Sequence, residues 1–221
     1  YGLSTISSIY YDTENYDVIR TSMEKPVYKE KLRLRAYGTI KTDSTVYLEL
    51  KKKYDGVVYK RRVALPIKVA ADYLEKGIYP IDYDSQILRE IDYFILMNHP
   101  HNGTLIACDR VALFGKEDHE LRITFDKNIR TSFNKTNLLE TKEEKPVIED
   151  NEYLMEIKVL GSMPLWLTEA LNELKIYPHS FSKYAQAMAK YMPKGVNPTA
   201  TLKEEQSHAH KYIGKYSYNF T

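Results

Sequence analysis

The sequence contains a single cysteine, Cys108, among its 221 residues. A lone cysteine excludes a disulfide bond within the chain and is typical of a protein from a reducing compartment. Long apolar runs are also missing: stretches such as Phe94-Ile95-Leu96-Met97 fall far short of the roughly 20 residues that a membrane-spanning helix needs. The pattern of a secretory signal peptide is missing as well. We therefore expect a soluble, cytoplasmic protein without a membrane segment.

Internal repeats and low-complexity tracts are absent from the sequence. Its hydrophobic content of 43% and charged content of 28% are ordinary for a globular protein, and a chain of this length can bury a proper core. We expect one large domain over residues 1–193. Residues 194–221 show weak periodicity and are expected to form a tail. Because the chain opens on Tyr1 rather than Met, we also expect further sequence upstream.

The sequence does contain a basic stretch, from Tyr28 to Val63, whose residues alternate with a period of two. Such alternation predicts strands with one charged and one apolar face. Asp55-Gly56 lies between the last two segments and predicts a tight hairpin turn. The charged face carries, segment by segment, Lys31-Arg33-Arg35, Glu49-Lys51-Lys53 and Lys60-Arg62. Lys52 and Arg61 fall on the opposite face, where we expect them to be solvated or to lie over helices.

Positive charge is concentrated in this stretch. Eleven Lys and Arg residues and four acidic residues lie between Lys29 and Arg62, whereas the whole chain has a net charge of only +2. Like charges on neighbouring strands repel each other, and a bound polyanion would offset that cost. A solvated basic face, or a face that grips a nucleic-acid backbone, remains open as an alternative. The carboxylate of Glu49 among the cations favours an ion pair or a metal-assisted phosphate site.

The rest of the chain predicts further strands and helices. Apolar residues at helical spacing predict helices before Pro26, before Gly77 and over Ser85–Met97, and further helices after Pro164 and before Pro193. Strands are expected at residues 7–12, Thr104–Phe114, Glu120–Phe125 and Tyr153–Leu160, with a loop over 134–151. The helix after Pro164 has an apolar stripe that includes Trp166, which we expect to anchor the core.

About seven antiparallel strands would thus carry charge on one face and apolar residues on the other. Helices must cover the apolar face, because soluble proteins do not leave such a surface in water. The charged face must then line something concave or solvated. A sheet curled into a barrel with its charges inside is one economical solution.

Seven motifs in order resemble one known family. They are Ile9-Tyr-Tyr-Asp-Thr13, Lys31-Leu-Arg-Leu-Arg35, Leu48-Glu-Leu-Lys-Lys-Lys53, Tyr59-Lys-Arg-Arg62, Leu121-Arg-Ile-Thr-Phe-Asp126, Leu154-Met-Glu-Ile-Lys158 and Ser180-Phe-Ser-Lys-Tyr184. Together they resemble the catalytic domain of the vacuolar transporter chaperone (VTC) family, a polyphosphate polymerase domain related to the CYTH-like triphosphate tunnel metalloenzymes. The resemblance covers roughly residues 5–190.

The resemblance implies an α+β fold, an antiparallel eight-stranded β-barrel tunnel with helices packed outside. The family's first strand would lie upstream of Tyr1, so this chain is expected to lack it. By position, the resemblance implies catalytic, phosphate-binding roles for Arg33, Arg35, Lys51, Lys60, Arg110, Arg122 and Lys183. It implies substrate-binding roles for Glu49, Lys53, Arg62, Lys158 and Ser182, and a metal-binding role for Glu156 with Mn²⁺ or Mg²⁺.

The function implied is metal-dependent transfer of the γ-phosphoryl group of ATP, or of another nucleoside triphosphate, to a growing polyphosphate chain. Inorganic polyphosphate or pyrophosphate would be the other partner, and nucleic acid would not be one. Two alternatives remain at this stage. One is a triphosphatase that passes the phosphoryl group to water, and the other is a polyphosphate-binding module without turnover. Structural explanations also remain: Arg33 or Arg35 paired with Glu49 or Glu120, and Glu156 paired with Lys158.

Overall fold

The computed structural model describes residues 2–135, 137–140 and 142–191, and the backbone of 214–219. The helices are α1 (Asp17–Met23), α2 (Ile67–Lys76), α3 (Gln86–Asn98), α4 (Leu165–Glu173) and α5 (Lys183–Tyr191), with a 3₁₀ turn at Ile81–Tyr83. The strands are β1 (Ser4–Asp12), β2 (Tyr28–Tyr37), β3 (Thr45–Tyr54), β4 (Val57–Pro66), β5 (Asn102–Phe114), β6 (Arg122–Ser132), β7 (Lys145–Pro146), β8 (Leu154–Leu160) and β9 (Gly214–Asn219). No helix in these ranges is long and apolar enough to cross a membrane.

The strands form one sheet in the order β4-β3-β2-β1-β5-β6-β8-β9, with the short β7 paired to β6. Neighbouring strands are antiparallel except for β8 and β9, which run parallel. The predicted α+β class with an antiparallel sheet is confirmed. The predicted closed barrel is not, because closure requires the two edge strands to pair, and among the described residues β4 does not pair with β8 or β9.

The basic hairpin of β3 and β4 forms as the sequence predicted. Asp55 and Gly56 at its turn have φ angles of 42° and 83°, the left-handed values that a two-residue hairpin turn requires. Across the hairpin Lys51 lies opposite Lys60, and Glu49 lies opposite Arg62. The turn therefore places like charges side by side, with one acid among them.

Helices cover the apolar face of the sheet. Leu32, Leu48 and Leu50 are fully buried on β2 and β3, and they belong to one cluster with Leu88 and Ile91 of α3. Helix α3 begins where the sequence predicted, because the Oγ of Ser85 accepts a hydrogen bond from the Leu88 N–H at 3.2 Å, which is a typical N-terminal cap.

Lys52 and Arg61 lie on the helix-covered face, as predicted. Both pair with Glu90 of α3, at 3.3 Å from the Lys52 Nζ and 3.1 Å from the Arg61 Nε. The remaining basic side chains of these strands are thereby separated from the helices and left on the other face.

Two expectations are corrected. Trp166 does not anchor the core: its side chain is 58% exposed, and Leu167 and Leu171 are the buried residues of α4. The helix starts at Leu165. Strand β6 also starts and ends later than predicted and continues to Ser132.

The predicted tail falls mostly outside the described residues, and so does the predicted domain boundary at residue 193. Within the predicted tail, the backbone of β9 extends the sheet beside β8.

Candidate functional site

A cavity of about 240 Å³ lies against the face of the sheet that the helices α2 and α3 do not cover. It is lined by residues of β1 to β5, of β8, and of the segment leading into α5. The cationic lining residues are Lys31, Arg33, Arg35, Lys51, Lys60, Arg110, Lys158 and Lys183, and the one acidic lining residue among those described is Glu156. The sheet therefore gathers eight cationic side chains and one carboxylate around a single enclosed space.

Nine of the thirteen predicted site residues line this cavity: Arg33, Arg35, Lys51, Lys60, Arg110, Glu156, Lys158, Ser182 and Lys183. The other four, Glu49, Lys53, Arg62 and Arg122, are not among its lining residues. Lys31, Tyr10 and Tyr184 line it without having been predicted. Lys31 shares the charged face of β2 with Arg33 and Arg35, so the alternation in the sequence already contained that signal.

Glu49 lies beside the cavity, between Arg33 of β2 and Arg62 of β4. Its carboxylate accepts a hydrogen bond from Arg33 Nε at 2.5 Å and lies 3.3 Å from Arg62 Nε and 3.9 Å from Arg35 Nε. Its side chain is only 14% exposed. The position fits a residue that holds arginines in place, and the Arg33–Glu49 ion pair that the sequence had left open is present.

Arg62 is held against two aromatic rings. Its guanidinium carbon lies 3.7 Å from the centroid of the Tyr47 ring and 5.6 Å from that of Tyr37, and its Nη2 donates to the Tyr37 hydroxyl at 3.1 Å. Such stacking stabilises a cation on the face of a ring. Arg62 therefore lies between the carboxylate of Glu49 and the rings of Tyr47 and Tyr37.

The sheet curls so that β4 faces β8 across the cavity. Lys60 of β4 and Lys158 of β8 both line it. The pKa of Lys60 is lowered by burial and by the charges of Lys158 and Arg33, which outweigh the opposing effects of Glu156 and Glu49. The cations therefore repel one another in the cavity, and an anion bound there would relieve that repulsion.

Asp126 joins the two ends of the cationic lining that come from β5 and α5. Its carboxylate is completely buried and accepts two hydrogen bonds from Arg110, at 2.5 Å and 2.7 Å, and one from Lys183. Burial raises the pKa of Asp126, but the bonds and charges of Arg110 and Lys183 outweigh it and leave the pKa below its usual range. The sequence placed Asp126 on a polar strand face, but its two partners lie on other elements, so the pairing was not readable there.

Helix α5 begins at the cavity wall. Ser182, Lys183 and Tyr184 line the cavity, and the Ser182 Oγ accepts a hydrogen bond from the Ala185 N–H at 3.3 Å. The N-terminus of a helix favours negative charge nearby, because its backbone N–H groups and dipole point that way. This end of α5 therefore adds to the positive field of the cavity.

Tyr10 is a lining residue that sequence reasoning missed. Its ring stacks on Tyr184 with centroids 4.8 Å apart, and its hydroxyl accepts a hydrogen bond from Arg33 Nη1 at 3.1 Å. Burial raises the pKa of Tyr10, but the positive charges of Arg33, Arg35 and Lys31 and the bond from Arg33 outweigh it and lower the pKa to about 7. The phenol is thus poised to lose its proton near neutral pH.

The Tyr10–Tyr184 pair is fixed to the fold through Asp12. The Tyr184 hydroxyl donates to the buried Asp12 carboxylate at 3.0 Å, which also accepts from the N–H groups of Val18 and Ile19 at the start of α1. Burial raises the pKa of Asp12 to about 6, although these hydrogen bonds oppose the rise. Asp12 therefore ties β1, α1 and α5 together behind the cavity.

Glu156 is the candidate metal ligand. Its carboxylate lines the cavity and lies 3.5 Å from the Lys158 Nζ, the pairing that the sequence had left open. In the part of the chain that the structure describes, no group of three or more His, Cys, Asp or Glu residues stands close enough to hold an ion. The residues fit Mg²⁺ or Mn²⁺ only as an ion that shares one carboxylate with bound phosphates, the usual arrangement for Mg²⁺.

Arg122 lies beside the cavity in a second depression. Phe114, His119, Glu120 and Lys158 border the same depression, and the Arg122 guanidinium carbon lies 5.2 Å from the Phe114 ring centroid. Lys158 borders both spaces. The predicted phosphate ligand Arg122 is therefore placed next to the main cavity without lining it.

Comparisons with known proteins give one family. A family model described as VTC domain matches residues 1–192 of the chain. No curated protein matches the sequence. A similar solved structure is a crystal structure described as a candidate adenylate cyclase from Bacillus halodurans, with 12% identity and a TM-score of 0.49, covering 86% of this chain and 83% of that chain.

We expect anion binding to weaken as Tyr10 loses its proton. Above the Tyr10 pKa of about 7, a phenolate adds negative charge to the cavity, so tripolyphosphate affinity of the wild type should fall relative to that of Tyr10→Phe. The change in the ratio of the two affinities between about pH 6 and about pH 9 should be on the order of tenfold, since charges at this range interact by a few kcal/mol at most. Calorimetric titrations of both proteins measure it.

The ratio of the two affinities at each pH is independent of the ionisation of tripolyphosphate, because that ionisation affects both proteins equally. Tyr93→Phe is the matched control, because Tyr93 is 66% exposed on α3, away from the cavity. The wild type should also show the ultraviolet absorbance change of one phenol titrating near neutral pH, and Tyr10→Phe should lose it. A constant affinity ratio across the pH range would contradict the assignment.

We expect Asp126→Asn to destabilise the protein. The substitution leaves Arg110 and Lys183 close together with no carboxylate between them, and breaking such a buried pair costs on the order of 3 kcal/mol. Denaturant unfolding should show this loss in the free energy of unfolding. Asp43→Asn, at an exposed position, is the control. Equal stability of the two variants would show that Asp126 does not hold the cluster.

Proposed function

This chain belongs to the VTC domain family, as its motifs predicted, and we propose that it transfers the γ-phosphoryl group of ATP, or of another nucleoside triphosphate, to the end of a polyphosphate chain. The observation that carries the proposal is the cavity in which eight cations meet a single carboxylate. A charge excess of this size inside an enclosed space is suited to a compact polyanion, because every phosphate would neutralise several mutually repelling cations.

The convergence of the cations disfavours the nucleic-acid alternative. A protein that grips a nucleic-acid backbone presents its cations along an open groove with bases stacked on aromatic rings. Here the cations converge from β2, β3, β4, β5, β8 and α5 onto one space. Its volume of about 240 Å³ lies below the roughly 300–1,000 Å³ of most small-molecule pockets, which suits a few phosphates.

The chemistry requires positioning more than it requires a protein nucleophile. A terminal phosphate oxygen of the acceptor chain attacks the γ-phosphorus, a new P–O–P bond forms, and the bond between the γ-phosphorus and the β,γ-bridging oxygen breaks to release ADP. Such transfers pass through a loose transition state, so charge neutralisation and alignment supply most of the catalysis. Burial raises the pKa of the Cys108 thiol in the cavity wall, which makes it a poor nucleophile.

The arginines and lysines have different tasks in this proposal. The planar guanidinium groups of Arg33, Arg35 and Arg110 would bind phosphate oxygens by paired hydrogen bonds. The Nε of each donates a hydrogen bond to Glu49, Ser8 and Asp126, respectively, which fixes its orientation. Lysines supply point charge without that geometry. Lys51, Lys60 and Lys183 would therefore neutralise charge along the path of the chain.

Glu156 is the proposed ligand for Mn²⁺ or Mg²⁺. When bound, such an ion would supply Lewis-acid neutralisation of the negative charge on the phosphates. Glu156 supplies one carboxylate for it, and Lys158 at 3.5 Å holds that carboxylate in the cavity wall. Hydrolysis by water is the alternative outcome of the same arrangement, and the products of the reaction distinguish the two.

We expect ATP, Mn²⁺ and a short polyphosphate primer to give products longer than the primer, resolved on a gel. Arg35→Lys should lower the rate by on the order of tenfold to a hundredfold, because it keeps the charge but loses the fork. Arg61→Lys is the matched control, since Arg61 lies on the opposite sheet face and pairs with Glu90. Free phosphate as the sole product would favour the triphosphatase, and no product would leave a binding module.

We expect Glu156→Gln to fold normally and to need a higher Mn²⁺ concentration. The shift should be at least about tenfold, the loss typical even of residues that merely support a metal ligand. Turnover measured over a Mn²⁺ series gives the half-saturating concentration, and Glu173→Gln on exposed α4 is the control. An unchanged Mn²⁺ dependence would remove Glu156 from the metal site.

A further inference from the structure

A depression at the hairpin between β5 and β6 adjoins the cavity at Lys158. Phe114, Arg122 and Lys158 stand side by side on β5, β6 and β8, because Phe114 pairs with Arg122 and Arg122 pairs with Lys158. The next pair along the same face is Thr124 with Glu156. The depression is therefore directly continuous with the part of the cavity that holds Glu156.

The depression has an aromatic platform. The Phe114 side chain is 43% exposed, and the Arg122 guanidinium carbon lies 5.2 Å from its ring centroid. The guanidinium lies over the face of this ring, and nucleobases stack both on aromatic rings and on arginine guanidinium planes. The exposed side chains of His119 and Glu120 add hydrogen-bonding groups at the rim.

The Nε of Arg122 is a second feature of the depression that favours a bound ligand. This Nε is buried and makes no hydrogen bond among the described residues. A buried donor without an acceptor costs free energy, so an acceptor oxygen from a ligand at this point would be favourable. Phosphate or ribose oxygens would offer one where the depression meets the cavity.

We propose that this depression binds the base of the nucleoside triphosphate, with the base stacked on Phe114 and the phosphates reaching past Arg122 and Lys158 into the cavity. The proposal rests on the proposed function, because it assumes a nucleotide donor. It follows from the positive charge of the cavity, which suits phosphates, and from the aromatic ring of Phe114 in the neighbouring depression, which Lys158 connects to the cavity.

The test compares three ligands by calorimetry: ATP, ribose triphosphate and inorganic tripolyphosphate. Phe114→Ala should weaken ATP binding by about tenfold, within the range of stacking on one ring, and leave the other two ligands unchanged. Phe114→Trp should retain the ATP affinity, because it keeps a flat ring. Leu113→Ala is the control, since Leu113 is also half-exposed but points to the opposite face of β5.

Two results would overturn the proposal while leaving the proposed function intact. Unchanged ATP binding in Phe114→Ala would show that the base lies elsewhere. Equal losses for all three ligands would show that Phe114 shapes the phosphate cavity and does not stack on a base, making the depression an extension of the polyphosphate path. Failure of the wild type to bind any of the three ligands would overturn the proposed function, and this inference with it.

Discussion

Mutual repulsion among the cations of the inner face is the constraint to which the rest of the structure responds. Two buried or half-buried carboxylates lie among these cations on the same face of the sheet. Glu49 holds the arginines of β2 and β4, and Asp126 holds Arg110 and Lys183. Because each carboxylate pairs with cations on neighbouring elements, the cations stay aligned, while eight cations and one carboxylate still line the cavity.

Packing on the apolar face of the same sheet stabilises the fold and offsets the repulsion among the cations. Leucines of β2 and β3 pack under α2 and α3, and Glu90 of α3 neutralises the two basic residues that alternate onto that side. A second cluster under α1 and α5 contains Ile19 and Met188. Asp12 joins that cluster to the cavity through Tyr184 and Tyr10. Helix packing therefore fixes the position of the Tyr10–Tyr184 pair in the cavity wall. The charge of Tyr10 depends on its position beside the cations of the cavity, so helix packing also affects the charge of the site.

Two spaces with different chemistry follow from the curl of the sheet. The cavity is rich in cations, whereas the depression at the β5–β6 hairpin combines one aromatic ring with Arg122 and shares Lys158 with the cavity. A ligand with an aromatic end and a polyanionic end would match both spaces at once. The pairing of Phe114 with Arg122 and of Arg122 with Lys158 creates this match.

The sequence by itself determined strands β1 to β6 and β8 apart from their exact ends, the hairpin at Asp55-Gly56 and the separation of charge from apolar residues, and the resemblance of its motifs implied the nine predicted site residues that line the cavity. Period-two alternation suffices for the strands and their faces, because it assigns each side chain to a face. It does not assign a position around the curl or a partner on a distant strand. Tertiary structure alone brought Asp126 to Arg110 and Lys183 and Tyr10 to Tyr184, left Glu49 and Arg62 outside the cavity lining, placed Arg122 in the neighbouring depression, and left Trp166 exposed. Each of these depends on register and helix rotation between elements far apart in the chain, and local pattern contains neither.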